Sequence, residues 1–240
     1  MSEDLPADDL VRTRDREAIA GMFNRIAGSY DRMNRIMTLG QDHRWRRLAA
    51  DQAMLRPGER ALDVAAGTGD MARELANRVA PNGRVVGIDI ATDMLAVAKA
   101  KSSGLPITYQ SGDVADLDYT AEFDAITVAF GFRNFADREP ATRAMFQSLK
   151  PRGRLVILEL VPSHGRLKPV VDFYEQTMIP LLGRLVSRDR DAYRYLPRSV
   201  AASTTTAEIQ TIMQRVGLIG VRARELNFGT VAIVRGVKPA

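Results

Sequence analysis

The chain contains no cysteine, which removes disulfides, thiolate nucleophiles, iron–sulfur clusters and cysteine-ligated zinc together and permits a reducing compartment. Only two histidines, His43 and His164, could offer imidazole, so no metal site is expected. No window approaches the roughly 18 uninterrupted apolar residues needed to span a bilayer. The opening MSEDLPADDL is acidic and has no apolar core, unlike a secretory signal or an Arg-rich transit peptide. A cytoplasmic protein is expected, with peripheral contact at the inner face of the cell membrane left open. One-signed charge is also scarce: 34 Lys+Arg stand against 29 Asp+Glu, a net +5. That excess is scattered and not interleaved with stacking aromatics, so no nucleic-acid partner is expected.

What remains is an ordinary globular composition, 45% hydrophobic and 26% charged. At roughly 150 residues per domain, 240 residues suit one large α/β domain with an appendage. Residues 1–17 read as a flexible polar leader, and 18–240 as the domain. Within it, Phe23, Ile26, Tyr30, Met33 and Met37 recur at steps of three and four, the spacing of one helical face. A helix over about Glu17–Leu39 and a second over His43–Met54, stopped by Pro57-Gly58, make residues 18–57 helical.

The pattern then changes. Short apolar runs at Ala61–Ala65, Val85–Ile90, Ala125–Phe130 and Leu155–Val161, with a further strand near Ile107–Gln110, alternate with helical stretches at Asp70–Val79, Asp93–Lys101 and Pro140–Leu149. Runs of that kind are strands buried on both faces, and the alternation predicts a doubly wound parallel sheet. Residues 163–200, with Pro169, Pro180 and Pro197, read as an inserted helical lid, too long for a connection. Thr205 with Glu208 predicts a capping box opening a helix to Gly217. Val221–Leu226 and Val231–Val234, around Asn227-Phe228-Gly229, predict a terminal hairpin.

The sharpest local signal is Asp63-Val64-Ala65-Ala66-Gly67-Thr68-Gly69-Asp70, a strand entering a glycine turn and a helix. Gly67 and Gly69 allow close backbone approach to a ligand, and the helix start presents unpaired N–H groups. Asp89 ends the next strand, where a carboxylate accepts both hydroxyls of a ribose, and Asp113 follows the third strand, positioned for an adenine amino group. Asp63, Gly67, Gly69, Asp89 and Asp113 are therefore candidate cofactor residues. A nicotinamide dinucleotide and S-adenosylmethionine both fit this arrangement. The helical residues before the turn and the helix–hairpin finish are closer to the second, by analogy with class I methyltransferases.

At this point a family resemblance becomes specific. Phe23-Asn24-Arg25-Ile26-Ala27-Gly28-Ser29-Tyr30-Asp31-Arg32-Met33-Asn34, the glycine turn, Phe130-Gly131-Phe132-Arg133-Asn134 and Leu149-Lys150-Pro151-Arg152-Gly153-Arg154-Leu155 resemble the quinone-biosynthesis C-methyltransferases over about Phe23–Lys238. The resemblance implies a class I fold, Rossmann-like, with a seven-stranded mostly parallel sheet ending in an antiparallel hairpin. It implies S-adenosylmethionine as cofactor, S-adenosylhomocysteine as product, and cofactor contacts at Thr68, Asp89 and Asp113-Val114. The implied partner is a small lipid quinol: demethylmenaquinol, or in some members a methoxy-polyprenyl-benzoquinol. A homodimer is compatible with it.

The resemblance also implies Arg133, Asn134 and Tyr30 as catalytic residues. Arg133 would stabilise a phenolate, while Asn134 and Tyr30 would hold the ring oxygen or a water. Three positions depart from the family: Ala66 stands where Cys is common, Ala129 where Ser is common, and Asp42 at the His position of Gly-x-His-x-x-Trp. His43 is accordingly read as a surface or packing residue. An RNA-modifying methyltransferase is disfavoured because no Asn/Asp-Pro-Pro-aromatic motif follows the fourth strand; a non-catalytic cofactor-binding module is the remaining alternative. Residues 166–196, with Val170, Phe173, Leu181 and Leu185 among Arg166, Lys168 and Arg184, read equally as an amphipathic membrane-facing stretch or as a helix packed on the domain as core cover.

Overall fold

In the computed structural model of the protein the described residues are 7–163, 168, 177 and 190–240. Helices α1 (Ala7–Thr13), α2 (Arg16–Met37) and α3 (Gln41–Gln52) lead into β1 (Arg60–Val64), α4 (Asp70–Val79), β2 (Arg84–Asp89), α5 (Thr92–Lys101) and β3 (Ile107–Ser111). There follow β4 (Phe123–Ala129), α6 (Arg138–Ser148), β5 (Leu149–Leu160), α7 (Arg190–Ala201), α8 (Thr206–Arg215), β6 (Ile219–Leu226) and β7 (Val231–Val237). The seven strands form one sheet in the order β3-β2-β1-β4-β5-β7-β6, with β7 antiparallel to both its neighbours. The fold is the class I methyltransferase architecture expected from the sequence.

Period-two alternation assigns each side chain to a face of this sheet. Leu62 and Val64 of β1 pack with Ile126 and Val128 of β4, and with Met145 of α6 and Met213 of α8. Ala61, Ala125, Val156 and Leu158 face the other way, onto Trp45 and Ala49 of α3 and Leu75 and Val79 of α4. Both faces are covered, which is why the central strands lack exposed positions. A third cluster, outside the sheet, joins Ile19, Met22 and Ile26 of α2 to Met94 of α5, Leu10 of α1 and Tyr195 of α7.

Three boundaries differ from the sequence reading. Strand β5 begins at Leu149, not near Leu155, because a bulge between the pairs Phe123–Leu149 and Ala125–Arg154 absorbs Lys150-Pro151-Arg152-Gly153. The stretch read as a flexible leader contains α1, and its Leu10 is buried; a single adjacent pair, Leu10-Val11, among polar residues gives too weak a periodic signal. The segment read as a lid lies mostly outside the described residues, but its end forms α7, tied to α1 by the ion pair Arg198–Asp8 at 2.7 Å. The proposed membrane-facing stretch 166–196 likewise lies largely outside the described residues. The capping box at Thr205 and Glu208 forms as expected.

Candidate active site

Strand order reverses between β1 and β4, and in open α/β sheets such a reversal leaves a crevice at the carboxyl ends of the strands. A cavity of about 190 Å³ lies there. It is reached by Val64 and Ala65 after β1, Asp89 and Ile90 after β2, Asp113 and Val114 after β3, and Phe130, Gly131 and Asn134 after β4. Helices close it with Arg16, Ile19 and Phe23 of α2, Met94 of α5 and Pro140 of α6.

The backbone is strained where the two central strands deliver their ends. Ala65 and Phe130, neither of them glycine, sit at φ 56° and φ 61°, a conformation that costs free energy and that surrounding packing must hold. Between them, a Cβ added to Gly131 would lie 2.5 Å from the Ala65 Cβ, so the two loops touch through a bare backbone. In the glycine turn Gly69 adopts φ 83°, and a Cβ there would lie 2.3 Å from the Tyr109 hydroxyl.

Asp89 organises the near wall. Its Oδ2 accepts the Gly67 N–H at 2.7 Å and its Oδ1 the Ala91 N–H at 2.8 Å. Burial pushes the carboxyl pKa up, and the Ala91, Gly67 and Ile90 N–H groups oppose that shift. With three N–H groups acting on about four lone-pair sites, the carboxylate keeps capacity for a further hydroxyl donor. Asp113 caps the turn after β3 by accepting the Ala115 N–H at 2.7 Å, and Arg16 reaches its Oδ2 at 3.2 Å. The cavity therefore combines two acceptor carboxylates with apolar walls, a donor–acceptor pattern suited to an adenosine.

Asp63 lies beneath the turn, 1% exposed. Its Oδ1 accepts the Thr127 hydroxyl at 2.7 Å, and its Oδ2 is buried without a partner among the described residues. Burial raises its pKa from 3.8 to about 7 against the pull of the Thr127 bond, of Arg46 and of the nearby Ala72 N–H, which falls short of hydrogen-bond geometry on Oδ2, with Asp89 adding to the rise. An orphaned carboxylate oxygen is expensive unless something donates to it.

At the far end, the turn Phe132–Asn134 follows β4. Arg133 is buried; its Nη1 donates to Glu159 Oε1 at 2.7 Å and to the Phe130 carbonyl, and its Nε to the Ser199 Oγ at 3.3 Å. Burial works against its charge, but Glu159, Tyr195 and Tyr30 outweigh that and raise its pKa. Its Nη2 has no hydrogen bond among the described residues. Asn134 lines the cavity, and its Oδ1 accepts the Tyr195 hydroxyl at 2.9 Å.

The structure thus brings Asp89, Asp113, Val114 and Asn134 to one cavity. The other sequence candidates stand behind it. Thr68 gives its hydroxyl to Asp31, Gly67 and Gly69 shape the turn, and Tyr30 meets Phe23 edge-on at 6.0 Å. Arg133, expected from the family resemblance to stabilise a phenolate, is paired with Glu159, a residue embedded in the apolar run of β5. A lone acid in a buried strand needs a cation, and that was the available signal. Arg16 was hidden in the polar leader, and Tyr195 in a stretch without regular pattern. Asp42, at the departed His position, is buried and accepts from Arg46 at 2.8 Å. Asp42, His43 and Asp70 place potential ligand atoms within 4.8 Å of one another, but Asp70 is also taken by Lys101 at 2.6 Å.

Comparison with known proteins agrees with this architecture. The model of the ubiE/COQ5 methyltransferase family matches residues 11–238. A demethylmenaquinone methyltransferase of Thermus thermophilus is 44% identical over 222 residues, covering 91% of this chain and 100% of that protein. A ubiquinone/menaquinone biosynthesis C-methyltransferase of Pseudomonas savastanoi pv. phaseolicola is 36% identical over 232 residues, 93% of this chain and 90% of its own length. Among solved structures, a SAM-dependent methyltransferase of Thermotoga maritima, described as a possible histamine N-methyltransferase, matches with a TM-score of 0.61 at 18% identity, over 91% of this chain and 98% of that one. The last likeness concerns the fold alone.

Proposed function

This chain belongs to the ubiE/COQ5 methyltransferase family, and from that premise we propose that it methylates a ring carbon of a polyprenylated hydroquinone, demethylmenaquinol, using S-adenosylmethionine. The observation that carries this reading is the meeting of Asp89, Asp113 and Asn134 at one cavity over the strand reversal. The naphthoquinol is preferred to the benzoquinol because the Thermus thermophilus relative bears the menaquinone name alone and is 44% identical, against 36% for the relative named for both quinones.

The residues fit the cofactor. Asp89 takes a ribose hydroxyl, Asp113 and the turn at Val114 take the adenine edge, and Ile19, Met94 and Pro140 flank the base. The unpartnered Asp63 Oδ2 suits the ammonium of the amino-acid end. Thr68, Gly67 and Gly69 hold the loop that the cofactor lies against. S-adenosylmethionine, when bound, supplies an electrophilic methyl group, and the protein's task is to orient the ring and raise its nucleophilicity.

A phenol titrates near 10, well above neutral pH. A guanidinium beside its oxygen favours the anion, and a phenolate donates strongly into the ring. In this reading the Asn134 Nδ2 group, which borders the cavity, receives that oxygen, and the Arg133 guanidinium stabilises the anion from the layer behind, where Tyr30 also stands. With the methyl group supplied by the cofactor, the chain's own part is to hold the ring oxygen so that the neighbouring ring carbon is the nucleophile. The ring carbon then loses its proton to water and aromaticity returns.

A prenylated substrate resides in a bilayer, so the reading includes peripheral membrane contact; no described helix is long and apolar enough to cross one. The test is turnover of the purified protein with S-adenosylmethionine and, in separate reactions, chemically reduced demethylmenaquinone and a reduced methoxy-polyprenyl-benzoquinone. Mass spectrometry is expected to find one added methyl group on the naphthoquinone. Preference for the benzoquinol reverses the choice of ring, and transfer to neither overturns the proposal.

A further inference from the structure

Tyr195 and Ser199 lie four residues apart on one face of α7, the spacing that stacks side chains along a helix. They meet two consecutive residues of the turn after β4: the Tyr195 hydroxyl donates to Asn134 Oδ1 at 2.9 Å, and the Arg133 Nε donates to Ser199 Oγ at 3.3 Å. Both are buried, Tyr195 at 3% and Ser199 at 5% exposure. Helix α7 is itself held against the N-terminal helices, by Tyr195 packing in the cluster of Leu10, Ile19 and Met22 and by Arg198 on Asp8.

An asparagine amide has two unlike ends, one accepting and one donating twice, and they exchange places by a half-turn of the side chain. Asn134 borders the cavity, so which end faces inward decides whether the site greets a substrate as donor or acceptor. The Tyr195 hydroxyl favours the observed orientation: in the reversed one the amide would donate to the hydroxyl oxygen, and the buried hydroxyl proton would lose the acceptor it has in Oδ1. Burial also pushes the Tyr195 pKa up, which keeps that proton in place across the neutral range.

We propose that Tyr195 is a positioning residue of the acceptor end of the site: by holding Asn134 through Oδ1 it presents the Nδ2 hydrogens to the substrate oxygen. The site so arranged selects an acceptor that brings an oxygen with lone pairs or negative charge, the phenolate of a hydroquinone, over one that brings a donor. This rests on the methyl transfer to a quinol proposed above.

The test is a double-mutant cycle of the full chain with Tyr195→Phe and Asn134→Ala, assayed with S-adenosylmethionine and reduced short-tail demethylmenaquinone. Tyr195→Phe keeps the ring in its cluster and is expected to lower kcat by about tenfold, leaving the Kd for S-adenosylhomocysteine within twofold of the wild type. Asn134→Ala is expected to cost at least as much, and the double variant no more than Asn134→Ala alone, because Tyr195 acts through Asn134. Multiplying losses in the double variant, wild-type kcat in Tyr195→Phe, or an equal loss of S-adenosylhomocysteine binding each overturn the assignment. Ser199→Ala serves as a second probe: it leaves the Tyr195–Asn134 bond intact, so its effect is expected to multiply with that of Tyr195→Phe, and a non-multiplying result means α7 acts only as a support. A wild-type protein that transfers no methyl group to the quinol defeats the underlying functional reading, and this inference with it.

Discussion

Glu159 closes both carboxylate oxygens on Arg133, Oε1 on Nη1 at 2.7 Å and Oε2 on the backbone N–H at 2.9 Å. Neither side chain is more than 4% exposed, so each charge depends on the other. Removing one partner of a buried pair strands the other, at a cost of about 3–5 kcal/mol. Glu159→Ala is therefore expected to lower Tm by about 10 °C and to abolish turnover, whereas Glu159→Gln, which keeps the acceptor for the Arg133 N–H, loses less of both. Thermal melts of the two variants check this; equal and small shifts mean that the pair is not what anchors the turn.

Gly69 and Tyr109 make a second close relationship, since a methyl group at Gly69 collides with the Tyr109 hydroxyl, itself bonded to the buried Ser102 at 2.9 Å. Gly69→Ala is expected to lower Tm and weaken S-adenosylhomocysteine at least tenfold. Adding Tyr109→Phe removes the hydroxyl and recovers part of the melting temperature, but not the cost of a left-handed alanine, about 1 kcal/mol. Full recovery in the double variant indicates that the φ of 83° carries no penalty, and calorimetric titration beside the melts separates the two effects.

The sheet was legible because its strands are apolar runs ended by turn residues, and those ends fall within a residue or two of the observed ones at β1, β2 and β4. The glycine turn with Asp89 and Asp113 was legible for the same reason: ligand-facing residues cluster at strand ends, and strand ends are visible. What was not legible was pairing across the fold. Glu159 is one polar residue in an apolar run, and its partner lies 26 positions away. Tyr195 reaches Asn134 across 61 positions from a stretch with no strand or helix rhythm. The bulge in β5 breaks the period from which a boundary is read. Local chemistry marks where a site lies, and long-range hydrogen bonding decides which groups in it remain free.

Thr68 illustrates that last point. Its hydroxyl donates to Asp31, which also takes the Lys101 ammonium, so one carboxylate joins α2, the glycine loop and the end of α5. Thr68→Val and Asp31→Ala are each expected to weaken S-adenosylhomocysteine by about tenfold, and the double variant by no more than the worse single one, as residues of one network behave. A larger loss in Thr68→Val than in Asp31→Ala, adding in the double variant, means that the threonine touches the cofactor directly.

Asp63 supplies the pH dependence. Its pKa in the folded chain is about 7 against an ordinary 3.8, so between those values the native state holds a proton that the unfolded state has lost. Stability from this group is complete below about pH 4 and is lost as pH rises to 7; at about 1.4 kcal/mol per pH unit the loss is on the order of 4 kcal/mol. Asp63→Asn removes that part of the slope, which urea melts across the interval measure. A cation beside Oδ2 reverses the preference, because the carboxylate is then the favoured form. S-adenosylhomocysteine, which carries an ammonium, is expected to bind more tightly as pH rises to about 7 and, at about pH 6, to release close to one proton on binding. 5′-Methylthioadenosine, which lacks the amino-acid end, is expected to release none. Calorimetry in two buffers of different ionisation enthalpy reads the proton count directly. Proton release by both ligands, or by neither, removes Asp63 from the recognition of the amino-acid end.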